Sequence, residues 1–145
     1  MKKSGYTWFN GRFVPWDEAK THVLDHGIHY GTGIFEGIRA YKTQDGNSAI
    51  FRLEKHVERM FKSAEILQMK IPYEKRMIEE AIIETVRKNR MMECYVRPLV
   101  WYGYGEIGAY VRNLPVNVMV AAWEWETYLG KEALEVAFGQ RLAHG

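Results

Sequence analysis

Two stripes of apolar residues at helical spacing occupy the middle of the chain, Val57, Met60, Phe61, Ala64 and Leu67 in the first and Ile78, Ala81, Ile82 and Val86 in the second, with Pro72 between them. Turn-punctuated, strand-like runs flank this pair on both sides. Before it, Trp8-Phe9-Asn10-Gly11-Arg12-Phe13 sets an Asn-Gly pair between aromatic residues, the dipeptide that supplies the two positive φ angles of a tight hairpin turn. A second hairpin is expected from 37–42 and 49–53 around Gln44-Asp45-Gly46-Asn47. After the helices, 94–101 and 116–122 read as strands joined by a Gly- and Tyr-rich loop, 102–114. Strands, two helices, then strands predict an α+β fold, a mostly antiparallel sheet with both helices on one face.

The 145 residues suit one domain, and 47% hydrophobic with 26% charged residues is the balance of a folded globule. Twenty Lys and Arg stand against eighteen Asp and Glu, a formal charge of +2 without a basic run, which argues against a nucleic-acid binder. Cys94 is the one cysteine and has no intramolecular disulfide partner, while Met1 to Gly5 lead into Tyr6-Thr7-Trp8 and not into an apolar signal core. The cytoplasm is the expected compartment. No apolar stretch reaches the ~18 residues of a bilayer span, so no membrane association is expected.

Strand alternation in 94–101 places Cys94, Val96, Pro98 and Val100 on a core-like face and Tyr95, Arg97, Leu99 and Trp101 on the other. Arg97 there needs an anion, either a carboxylate of its own fold or a ligand. The same alternation across 35–41 sets Phe35, Gly37, Arg39 and Tyr41 opposite Glu36, Ile38 and Ala40. Gly37 within a strand marks a close approach by a ligand or backbone, or else a bulge. His22, His26 and His29 have spacings reminiscent of metal ligands, but Gly27 intervenes and no Cys or carboxylate set joins them; a loop with locally hydrogen-bonded histidines is expected, and no metal. Gly103-Tyr104-Gly105-Glu106-Ile107-Gly108 nominally matches a dinucleotide motif, yet no amphipathic helix follows, which leaves an aromatic loop of the kind that serves as a lid. By pattern alone Arg59, at the edge of the first helical stripe, reads as a solvated helical arginine.

Trp8-Phe9-Asn10-Gly11, His29-Tyr30-Gly31-Thr32, Phe35-Glu36-Gly37-Ile38-Arg39-Ala40-Tyr41, the run from Phe51 to Arg59, Tyr95-Val96-Arg97-Pro98-Leu99 and Trp125-Glu126-Thr127-Tyr128-Leu129-Gly130 together resemble the smaller, N-terminal domain of branched-chain amino acid aminotransferases, the fold-type IV enzymes that use pyridoxal 5'-phosphate. The likeness runs from about Tyr6 to Glu135. It implies that Arg59 binds the cofactor phosphate, a task suited to a permanently charged guanidinium fork. It implies that Phe35, Gly37, Tyr95, Trp125 and Tyr128 wall the substrate pocket, that Arg97 receives the distal carboxylate of glutamate, and that Tyr30 and the loop tipped by Ala109 serve the site of a neighbouring subunit. Small-molecule amino acid and 2-oxo acid substrates and a homo-oligomer follow from the same likeness.

In these enzymes the lysine that forms a Schiff base with the cofactor lies on the larger C-terminal domain, so no catalytic residue is expected in this chain and the 145 residues alone are expected to be inactive. Residues 1–128 are expected to form the small domain and 129–145 an interdomain linker with a truncated or misframed tail, because the likeness fades near Val136. Other readings of the same pattern are a D-amino acid transaminase, an aminodeoxychorismate lyase, or a non-catalytic binding or assembly module.

Overall fold

The structure, a computed structural model, describes residues 3–124; Trp125 and Tyr128 lie outside the described residues. The chain opens with the hairpin β1 (Tyr6–Phe9) and β2 (Arg12–Pro15), whose turn residues Asn10 and Gly11 both take positive φ. A single helical turn, α1 (His26–Tyr30), precedes β3 (Gly33–Phe35), β4 (Ile38–Lys42) and β5 (Ser48–Ile50). The helices α2 (Leu53–Ile66) and α3 (Lys75–Lys88) follow, and then β6 (Cys94–Tyr102) and β7 (Val116–Trp123). These seven strands form one antiparallel sheet in the order β2-β1-β7-β6-β4-β5, with β3 also paired to β6.

β6 is the spine of this sheet. Its even residues Cys94, Val96 and Val100 are buried with Val118, Val120 and Ala122 of β7 and Ile38 and Ala40 of β4. Onto that face pack the stripes read from the sequence, Val57, Met60 and Ala64 from α2 and Ile78, Ala81, Ile82 and Val86 from α3, making one continuous core. Burying an aliphatic side chain of this size contributes ~1.5–3 kcal/mol, which is why short helices with few caps hold against the sheet.

Two expectations are corrected. The run read with one alternation over 35–41 is split between β3 and β4 at Glu36–Gly37, although the two strands share one register against β6. The cause is Pro98, which lies opposite: its carbonyl accepts the Glu36 N–H at 3.1 Å, but a proline has no N–H to return. The histidine loop, in turn, contains the helical turn α1; its histidines do bond locally, His22 Nδ1 to the Leu24 N–H, His29 Nε2 to the Val23 carbonyl and His26 Nδ1 to the Thr32 hydroxyl, while His26 Nε2 reaches the distant Gly108 carbonyl. Among the described residues no helix is long and apolar enough to cross a membrane, and no cluster of metal-ligating side chains occurs.

Candidate active-site face

The interruption at Pro98 sorts the side chains around it. Phe35 and Gly37 are exposed on the sheet face turned away from the helices, whereas Glu36 between them points back and is only 5% exposed. Across from Gly37 stands Tyr95, so close that any side chain at 37 would overlap its hydroxyl. Tyr95 Oη accepts hydrogen bonds from Arg97 Nη2 at 2.7 Å and Nε at 3.3 Å, and the guanidinium lies over the Phe35 ring, 4.2 Å from its centroid. Tyr95 also packs on Trp123, ring centroids 4.9 Å apart. Phe35, Gly37, Tyr95 and Arg97 thus form one cluster. Among the described residues no carboxylate pairs with Arg97.

Arg59 projects from α2 to the other side of the same break. Its Nε and Nη2 donate to the two carboxylate oxygens of Glu36 at 2.6 Å each, and His56 Nδ1 donates to Glu36 at 2.9 Å. The arginine side chain remains 65% exposed. Burial works to raise the Glu36 pKa, but the hydrogen bonds and charges of Arg59 and His56 outweigh it and hold the carboxyl below its ordinary value; Arg59 is raised in return. This clasp fixes the guanidinium plane while leaving Nη1 without a partner among the described residues, a preset fork for an anion. Sequence reading missed Glu36 and His56. The signal was available in Glu36 on the inward side of a strand and in His56 and Arg59 three residues apart on one helix face.

Tyr30 and Ala109 lie elsewhere. Both are exposed, Tyr30 at the end of α1 and Ala109 in the loop before β7, and neither bonds to the Phe35–Arg97 cluster. Between the two regions the outer sheet face forms an open hollow of about 380 Å³ lined by Phe9, Ile28, Phe35, Leu99, Trp101 and Met119. Gly103 and Gly105 of the nominal dinucleotide motif serve packing, since a side chain at either would overlap Asn117 or Leu114. Cys94 is buried, and burial pushes its thiol up to about 11, which removes it as a nucleophile at neutral pH.

The family described as amino-transferase class IV matches residues 33–143. The branched-chain-amino-acid aminotransferase of Pseudomonas aeruginosa is 47% identical over 133 residues, 92% of this chain and 43% of that protein, and the one of Escherichia coli K12 is 40% identical over 137. Among solved structures, the Escherichia coli branched-chain amino acid aminotransferase superposes with a TM-score of 0.85 at 37% identity, covering 90% of this chain and 43% of that one. The branched-chain amino acid aminotransferase of T.th., complexed with N-(5'-phosphopyridoxyl)-L-glutamate, superposes at 0.82 with 53% identity, covering 86% and 42%. The chain therefore spans well under half the length of these relatives.

Proposed function

This chain belongs to the class IV aminotransferases, and from that premise we propose that it is the small domain of a branched-chain amino acid aminotransferase, residues 1–128 forming the domain and 129–145 a connecting segment. The observation that carries the proposal is Arg97, a half-buried guanidinium held, among the described residues, by the Tyr95 hydroxyl and the Phe35 ring and set beside apolar walls. Such a site serves two substrates in turn. Phe35, Gly37 and Tyr95, with Trp125 and Tyr128, receive the aliphatic side chain of leucine, isoleucine or valine, and Arg97 answers the distal carboxylate of glutamate or 2-oxoglutarate.

Pyridoxal 5'-phosphate suits the other half of the site, because the exposed edge of Arg59 offers N–H groups already oriented by Glu36. When bound, this cofactor supplies the electron sink that stabilises charge at the substrate α-carbon. The described residues bind and orient: Arg59 holds the phosphate, the aromatic walls exclude water, and Arg97 selects the donor. The 145 residues alone are not expected to turn over substrate. A second copy of the chain is the partner that Tyr30 and the Ala109 loop would reach, and the cytoplasm remains the proposed compartment.

The test uses the chain itself. Affinities for N-(5'-phosphopyridoxyl)-L-glutamate and its leucine counterpart are compared in wild type, Arg59→Met and Arg97→Leu by tryptophan fluorescence. Arg59→Met should weaken both ligands by about tenfold or more, and Arg97→Leu the glutamate form alone by a similar factor. Equal losses of both ligands in Arg97→Leu would overturn the assignment.

A further inference from the structure

We propose, on the reading that Tyr30 and the Ala109 loop serve a partner's site, that His26 is the positioning residue that holds the two as one unit. His26 is 3% exposed, and both its ring nitrogens are engaged. Nε2 lies 2.7 Å from the Gly108 carbonyl, which can only accept, so Nε2 carries a hydrogen and donates it. Nδ1 lies 2.7 Å from Thr32 Oγ1 and, in the neutral ring, accepts from that hydroxyl. The ring itself stacks on Tyr30, centroids 4.3 Å apart at 25°. One imidazole thus touches the start of β3, the end of α1 and the residue preceding Ala109.

The two parts it joins cannot place themselves. α1 has five residues, too few to be stable as an isolated helix. The loop closes at its base through the Gly103 N–H to the Pro115 carbonyl at 2.8 Å and through the His26 N–H to the Gly103 carbonyl at 3.2 Å. Between Glu106 and Tyr110, however, the bond from His26 to Gly108 is the one hydrogen bond among the described residues. Its other end is firmly founded. The preceding carboxylate, Asp25, is buried and accepts from Trp101 Nε1 at 2.7 Å, from Asn117 Nδ2 at 3.3 Å and from the Thr21 hydroxyl, which ties the base of α1 to β6 and β7. The rigid sheet therefore dictates through Asp25 and His26 where the loop tip sits.

The experiment separates the two ring nitrogens. Glutamine carries an amide near the Nε2 position and asparagine one near Nδ1, so His26→Gln preserves the bond to Gly108 and His26→Asn only that to Thr32. Chymotryptic cleavage after Tyr110 is followed in the purified 145-residue chain by mass spectrometry. His26→Asn should be cut about tenfold faster than wild type, while His26→Gln and Thr32→Val stay within about threefold. Equal acceleration in the Gln and Asn variants would overturn the proposal. If His26→Asn fails to fold, nitrogen NMR of the wild-type neutral ring decides instead: the Nε2–H tautomer is expected, and an Nδ1–H tautomer overturns it. Cofactor-analogue binding at Arg59 is read separately, so a failed latch leaves the functional reading standing, and an unchanged Arg59→Met leaves the latch standing.

Discussion

Burial alone would raise the Glu36 carboxyl, yet Arg59 and His56 bring it below its ordinary value of 4.5. A carboxylate depressed in the folded state contributes stability that is fully present above the unfolded pKa and is lost as pH falls through the lower folded one. Arg59→Met should therefore cost about 1–2 kcal/mol at neutral pH, less than for a fully buried pair because the guanidinium side is open to water. The deficit relative to wild type should shrink as pH is lowered below about 4.5, read from urea melts at several pH values; a deficit independent of pH would contradict it. Gly37 is the other sensitive residue. Gly37→Ala drives a methyl into the Tyr95 hydroxyl, and since that hydroxyl holds Arg97, the predicted outcome is a loss of about 1–3 kcal/mol together with displacement of the guanidinium. A thermal melt and weaker binding of the glutamate analogue check both parts.

At the level of elements, β6 does most of the organising. It pairs with β7 along its length and with β3 and β4 on its other edge, and Pro98 opens the ladder at the point where Phe35, Gly37 and Arg97 need to face outward. The first strand is fastened from a distance: Asn89, just past α3, accepts the N–H groups of Gly5 and Tyr6 at 2.9 Å each and donates to the carbonyls of Tyr6 at 2.9 Å and Thr85 at 2.8 Å. Asn89→Ala should destabilise the chain by about 1–2 kcal/mol and accelerate hydrogen exchange first in β1. Ile82, fully buried where α3 meets the sheet, is a purely packing residue; Ile82→Ala should cost about 2–5 kcal/mol with no selective effect on either ligand analogue.

The molecule as a whole leaves apolar surface uncovered. Val23, Ile28, Tyr30, Tyr104, Ile107 and Tyr110 are exposed around α1 and the loop, beside the hollow floored by Phe9, Leu99 and Trp101. Patches of this kind ordinarily find another surface, so association is expected at about tens of micromolar, with Ile28→Asp shifting light scattering toward the monomer. A monomeric wild type at that concentration would contradict it. Much of this molecule was legible in its sequence. The period of Val57 to Val86 and the alternation of 94–101 require two helices covering one face of an antiparallel sheet, because an apolar stripe must be buried and each pattern admits one geometry. The motifs that carry the resemblance named Arg59 together with Phe35, Gly37, Tyr95 and Arg97, and strand alternation set Phe35 with Gly37 and Tyr95 with Arg97 on common faces. Only the tertiary structure decided which partner each charge takes. Glu36 meets Arg59 across 23 positions and His26 meets Gly108 across 82, and hydrogen bonds between such distant residues leave no periodicity to read; they exist because the sheet, once folded, brings those atoms to within 2.6 and 2.7 Å.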